Sequence, residues 1–362
     1  MKRITQYRRS LVALAAGVGV IITASSCSSA NTSGENSSGG EATQSFELTV
    51  HTGESDLMSR IDQKFADEVA ERTDGRIVIN PSYSGSLVSP DQVLNSVESG
   101  TVDLGHVTTS FASGAIPDLA ILEVPYARPA DSEGYAEFSA EVDPVLDEIF
   151  AEHNQKFIFS NPGIMPGIIA CSEPAGADAD FSGKLIRAAG PWQSATLAGW
   201  GGSPATIGTA ELYTSLQNGT VDCTLMVYNL YSSLKLAEVA PYVYRLDFGA
   251  NYNAITMNQQ AWDSLSEADQ TAVLAAGAAA QEYGFELLSE TVEPEVERLV
   301  EAGATLCVPS DGSVDDKLAT VDDVRDEIGE TVSERGESLA EISEKFREDA
   351  YQAPTFGPLD RC

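Results

Sequence analysis

Apolar and polar residues alternate over residues 46–50, F-E-L-T-V, the two-residue period of a strand with one buried face. From residue 59 the period lengthens. Ile61, Phe65 and Val69 recur every fourth position, so residues 59–72 predict an amphipathic helix. Asp74 and Gly75 form a turn signal, and residues 76–79, R-I-V-I, predict a second strand. Ser89-Pro90-Asp91 has the chemistry of a helix start, Gly100 ends that helix, and residues 102–104 begin a third strand. Strand, helix, strand, helix, strand predicts a parallel sheet with crossover helices. The string S-V-E-S-G-T-V-D at 96–103 returns as S-L-Q-N-G-T-V-D at 215–222. Each copy sits where a helix ends on a glycine cap and a strand begins, which favours two lobes of similar build. The second half adds strands at 185–187 and 223–227 and helices at 193–199 and 211–217.

The last third differs. Residues 259–288 read as a long helix, with a continuation over 293–302 after a kink near Pro294. A short strand at 306–308 and charged helices over 315–350 follow. A helix near thirty residues spans about 45 Å, longer than one lobe is wide, so it should bridge two lobes.

The N-terminus carries Lys2, Arg3, Arg8 and Arg9 ahead of an apolar run from Leu11 to Ile22. That run is too short to span a bilayer and suits the core of a signal peptide over 1–26. Small residues then precede Cys27, as in a bacterial lipobox, which makes Cys27 the candidate for lipidation. Ser26 departs from the commoner glycine or alanine there, and ordinary A-x-A cleavage is the alternative. Residues 27–45 have the Ser/Gly-rich composition of a flexible tether. The expected location is the extracytoplasmic face of the cell membrane.

The net charge is −34, and removing the leader makes it more negative. Nucleic-acid binding, which rests on Lys and Arg, is excluded by that balance. Leaving Cys27 aside, four cysteines remain, an even number that fits two disulfides in an exported protein. Cys171 and Cys223 lie on two second-lobe strands and are expected to pair. Cys307 and Cys362 would tie the tail, 351–362, to the strand after the long helix. No C-x-x-C, H-E-x-x-H, G-x-S-x-G or Walker A motif occurs, so no metal, cofactor or catalytic residue is assigned and an enzyme is not expected.

The F-S-G-K-L-I-R string at 181–187 and the E-L-Y-T-S-L-Q-N-G-T-V-D string at 211–222 resemble the solute-binding proteins of TRAP (tripartite ATP-independent periplasmic) transporters. The N-terminal half agrees, with Phe65, Val69, Thr73, Gly75, Arg76, Val97, Gly100, Pro117 and Pro125-Tyr126 at familiar spacings. The resemblance covers roughly residues 46–350. It implies an α/β, two-lobe, periplasmic-binding-protein-like fold with a hinge, an interlobe ligand cleft and a long bridging helix over 259–288. Lobe 1 would comprise 46–162 plus about 228–252, and lobe 2 would comprise 163–227 plus about 253–350. The implied activity is capture of a small organic acid by a monomeric receptor that serves membrane permease subunits. Arg187 is then the residue that pairs with the ligand carboxylate, for which a guanidinium fork is well shaped.

Two departures from the family pattern bear on the ligand. The place of a second arginine falls near Gly167, and the place of an asparagine after the V-D pair holds Met226. A monocarboxylate with an apolar or aromatic body fits this loss. Trp192, Tyr228, Tyr231, Phe111 and Tyr126 are candidates to contact that body. His51 and Thr108 sit beyond predicted parallel strands, where ligands of such sheets bind. A binding protein of an ATP-driven importer has the same physics and is the principal alternative; an extracellular hydrolase is the remaining one.

Overall fold

The computed structural model describes residues 43–350 except residue 177. The leader, Cys27 and most of the tether lie outside the described residues, as does Cys362. Two sheets organise the chain. The first uses β1 (Gln44–Thr49), β2 (Ile77–Ser82), β3 (Leu104–Thr108) and β4 (Gln155–Ser160). The second uses β5 (Gly167–Cys171), β6 (Leu185–Ala188), β7 (Ser203–Thr206), β8 (Cys223–Val227), β9 (Tyr242–Phe248) and β11 (Thr305–Cys307), while β10 (Asn253–Asn258) returns to the first. The orders are β2-β1-β3-β10-β4 and β11-β9-β5-β8-β6-β7. β1 runs parallel to β2 and β3, as the early alternation predicts, and β10 runs antiparallel between β3 and β4.

The crossing segments are exchanged relative to expectation. Within 228–252, β9 pairs with β5 of the second sheet, and β10, at the start of 253–350, pairs with β3 of the first. Residues 249–252 therefore carry the chain from one sheet to the other. Both strands are nearly continuous buried runs, so their composition does not tell which sheet takes them.

The helix Leu57–Arg72 buries Ile61, Phe65 and Val69, the predicted stripe, and Asp56 caps it by accepting from the Met58 N–H at 3.0 Å. The repeated corners adopt one geometry. Gly100 and Gly219 both take left-handed backbone, φ +71° and +68°, which closes the helix with reversed bonds to the preceding turn.

The long C-terminal helix is a short helix, Gln259–Asp263, and then Glu267–Glu301, helical straight through Pro294. At about 1.5 Å per residue the second piece spans about 50 Å. It packs on Leu57–Arg72 and later on the second-sheet helix Tyr228–Ser233. Gly284 permits the approach, since a Cβ there would stand 2.6 Å from Pro162. Cys171 and Cys223 are disulfide-bonded as neighbours on β5 and β8. Among the described residues no helix is long and apolar enough to cross a membrane.

Candidate functional site

A cavity opens between the sheets. Beyond β1 stands His51, and at the end of β3 stand Thr108, Ser110 and Phe111. The second sheet supplies Arg187 from β6 and Leu225, Met226 and Val227 from β8. Asn251, on the crossing segment, and Asn253, first in β10, complete it.

Arg187 is held in register by Thr224 of β8 and Ala205 of β7. Its side chain is only 4% exposed. Nε donates to the Ile207 carbonyl at 3.0 Å and Nη1 to the Leu225 carbonyl at 3.3 Å. Two carbonyl dipoles orient the guanidinium without neutralising it, and among the described residues no carboxylate forms an ion pair with it. Burial lowers its pKa from 12.5 to about 10, so the charge persists at neutral pH.

The facing groups are polar and uncharged. Thr108 Oγ1 donates to Asn253 Oδ1 at 2.8 Å. Gln193 Nε2 reaches Asn251 Oδ1 at 3.3 Å, and Gln193 Oε1 accepts from the Ala189 N–H at 3.0 Å. Asn251 has φ +60°, a left-handed conformation that asparagine tolerates better than most residues. His51 stands edge-on to His106, ring centroids 5.0 Å apart, and its Nδ1 has no hydrogen-bond partner. Burial first, and the neighbouring His106 second, push its pKa well below the imidazole range, so the ring is neutral. Behind it, His106 Nδ1 and Asp62 Oδ2 are 2.8 Å apart, both fully buried.

Of the residues singled out from sequence, Arg187, Met226, Phe111, His51 and Thr108 line this cavity. Four aromatics lie elsewhere. Trp192 is half-buried in the first turn of the helix Pro191–Gly199. Tyr228 is sealed in the second lobe, where its hydroxyl donates to Asp247 and accepts from Arg245 Nε at 3.0 Å. Tyr231 donates to the Ala240 carbonyl at 2.8 Å and lines a separate depression. Tyr126 packs on Phe248 and donates to the Leu246 carbonyl at 3.2 Å. Gly167 has no room for any side chain: a Cβ there would lie 2.0 Å from the Phe248 ring.

Asn251, Asn253 and Gln193 were not among the candidates. The available signal was the G-A-N-Y-N string at 249–253, two asparagines in a segment flanked by buried strands.

Comparisons with known proteins agree with this architecture. A solute-binding protein of Roseobacter denitrificans is 30% identical over 251 residues, covering 69% of this chain and 77% of its own. The ectoine-binding periplasmic protein TeaA of Halomonas elongata is 26% identical over 260 residues, 70% of this chain and 75% of its own. The solved structure of the ectoine-binding protein of the Halomonas elongata TeaABC TRAP transporter superposes with a TM-score of 0.78 at 22% identity, over 84% of this chain and 99% of that one. An extracytoplasmic solute receptor of Bordetella pertussis that binds pyroglutamic acid gives 0.78 at 20% identity, over 83% and 99%. The family described as bacterial extracellular solute-binding protein, family 7, matches residues 49–352. With two sheets, a cleft between them and that match across most of its length, the chain belongs to this family, as a solute-binding receptor of the TRAP type and not an enzyme.

Proposed function

We propose that the cavity captures a compact monocarboxylate whose body carries further neutral hydrogen-bonding groups. One observation supports this reading above the others. Among the described cavity-lining residues Arg187 is the only formal charge, and no acid lines the cavity. A single buried cation without a carboxylate partner calls for one anionic group and disfavours two, because a second buried carboxylate would be unpaired. Asn251, Asn253, Gln193, Thr108 and neutral His51 would meet amide, lactam or hydroxyl groups on the rest of the molecule. This moves the ligand body away from the purely apolar one that the sequence suggested. Ligands named for similar proteins vary: pyroglutamate, ectoine, orotate and glucuronate. All carry a carboxyl group; pyroglutamate, orotate and glucuronate add neutral polar atoms, whereas ectoine adds a cationic amidinium.

In this reading the bound acid is delivered to membrane permease subunits, and the receptor works as a monomer tethered through lipidated Cys27. A calorimetric panel of pyroglutamate, ectoine, orotate and glucuronate, with a dicarboxylate of matched skeleton, tests the ligand class. Binding of a monocarboxylate that is lost in Arg187→Met supports it. Tighter binding of the dicarboxylate overturns it.

A further inference from the structure

Strand leads to strand across the two sheets twice, over 161–166 between β4 and β5 and over 249–252 between β9 and β10. Both crossings converge on one side chain. Arg128 lies between Pro117–Leu122 and the helix Ser132–Ala151, in the part of the chain that joins β3 to β4, and it is 1% exposed. Nε donates to the Asn251 carbonyl at 3.0 Å. Nη2 donates to the Ile164 carbonyl at 3.3 Å and to the Ala250 carbonyl at 3.4 Å. Nη1 donates to the Pro129 carbonyl at 2.8 Å. One guanidinium therefore bonds the first crossing, the second crossing and its own segment together.

The backbones meet there as well. Arg128 and Gly249 form an antiparallel bridge, and the Ala127 N–H donates to the Gly249 carbonyl at 3.1 Å. A Cβ on Gly249 would stand 2.1 Å from the Arg128 carbonyl, so only glycine permits this approach. The guanidinium also lies 3.7 Å from the centroid of the Tyr135 ring, which meets Tyr252 edge-on at 5.7 Å. The residue type is specific to this task. Five N–H donors in one rigid plane can serve four carbonyls, whereas an ammonium offers three donors on a flexible stem. Every hydrogen-bond acceptor is a neutral carbonyl, so the buried charge is held by dipoles and costs solvation. What it supplies in return is a geometry that an apolar side chain cannot hold.

We propose that Arg128 is a positioning residue for solute capture: it pins both crossings at one point about which the lobes turn, and it fixes the backbone of Asn251, whose side chain lines the cavity. Its acceptors all belong to the protein and lie at the pivot, so it keeps them with the cleft open or closed and favours neither state. The inference rests on the two-lobe cleft of the family and not on the ligand class proposed above.

A pin at the pivot sharpens the motion without biasing it. Without the pin both crossings gain backbone freedom, the lobes take a wider spread of relative orientations, and Asn251 is no longer confined to its left-handed conformation. A scaffold role predicts something else: general loss of stability with no selective loosening of the crossings. Individual amides separate the two. The Asn161 N–H, at the start of the first crossing, donates to the Asn253 carbonyl at 2.9 Å. The Tyr252 N–H, at the end of the second, donates to Thr109 Oγ1 at 2.9 Å. The Ser172 N–H donates to the Asp222 carbonyl at 2.9 Å, beyond the end of β5 remote from the crossing, and serves as the reference.

The experiment combines amide hydrogen exchange with pulsed electron spin resonance on the ligand-free full chain. Spin labels are coupled to ketone-bearing residues at the exposed positions Gln92 and Gln217, one on each lobe. Arg128→Met keeps much of the volume and loses the donors. It should speed exchange at Asn161 and Tyr252 at least about tenfold more than at Ser172, the factor expected for losing one hydrogen bond from a charged donor. It should also broaden the interlobe distance distribution. Arg128→Lys keeps the charge without the planar fork and should fall between methionine and wild type in both measurements. Gly249→Ala leaves the guanidinium in place but pushes the second crossing off the Arg128 carbonyl, and it should broaden the distribution too. The lysine and alanine variants keep the test intact where the methionine variant does not fold. Exchange that rises equally at Asn161, Tyr252 and Ser172 would reduce Arg128 to scaffolding. Distance distributions as narrow in folded Arg128→Lys and Gly249→Ala as in wild type would likewise overturn the proposal.

Discussion

Replacing Arg187 by methionine separates a binding role from a structural one, because the two predict opposite signs for stability. Burial lowers the guanidinium pKa from 12.5 to about 10. At about 1.4 kcal/mol per pKa unit, that is a cost to the ligand-free protein of about 3 kcal/mol. The group is charged in both folded and unfolded chains at pH 7, so the whole cost is felt there and is relieved only as pH rises through about 10. Methionine removes the charge and keeps much of the volume. It also leaves the Ile207 and Leu225 carbonyls without their donors, at about 1 kcal/mol each. The balance is near zero to about 1 kcal/mol in favour of the variant, a rise of up to about 1–2 °C in Tm for a chain of this size. Binding should move the other way. Loss of one partner of a desolvated charge pair costs about 2–5 kcal/mol, roughly thirtyfold to several thousandfold in Kd. Scanning calorimetry of the ligand-free protein and titration of the acid found in the panel measure both halves. Arg187→Lys should recover part of the affinity, since an ammonium offers no two-pronged contact. A fall in Tm of more than about 5 °C with affinity unchanged would assign Arg187 to scaffolding and refute the reasoning.

The Cys171–Cys223 bond joins residues 52 apart in sequence. Replacing both cysteines by alanine should cost about 4 kcal/mol, visible as a lower urea midpoint under non-reducing conditions, and an unchanged midpoint would contradict that contribution. Gly167→Ala should destabilise by more than an ordinary surface change because its Cβ would strike the Phe248 ring, and Phe248→Leu in the same chain should restore part of the loss; equal stability of Gly167→Ala and wild type would contradict that packing. Cys27→Ala should release the protein from membrane fractions or leave it unprocessed, and a processed form retained on the membrane would exclude lipid anchoring through Cys27.

How much of this was legible depended on whether the signal was local. β8 has the bounds that the sequence predicts, Cys223 to Val227, and the repeated glycine corners carry their own geometry in the residue type. Arg187 was found because a short string marks its strand. The partition of β9 and β10 was not legible. Both are buried almost throughout, and their partners are fixed by the four-residue crossing between them. Four of the five aromatic candidates failed to reach the cavity for a different reason. Closeness in sequence to Arg187 says nothing about direction. Successive helical residues point about 100° apart, so Gln193 faces the cavity while its neighbour Trp192 does not. Tyr228 follows a cavity strand directly, yet Asp247 and Arg245 draw its hydroxyl into the second lobe.

Packing at the crossing ties position 167 to the segment that reaches the cavity wall. β5 lies between β8 and β9, and its first residue, Gly167, faces Phe248 at the end of β9. The aromatic ring fills the space that a side chain at 167 would need, so no cation can stand there without moving Phe248. Immediately after Phe248 the chain leaves the second sheet, and within three residues it places Asn251 in a left-handed conformation at the cavity wall. That turn delivers a neutral amide, anchored by Gln193, and it also sends Asn253 into β10 beside Thr108. A change that opened room at 167 for a second arginine would have to shrink residue 248, and residue 248 is coupled to the crossing that positions both asparagines. The count of positive charges and the placement of neutral partners are therefore linked through one aromatic ring. Altering one without the other should give a site with misplaced amides, and a second carboxylate on the ligand would find a cation only at the expense of its remaining hydrogen bonds.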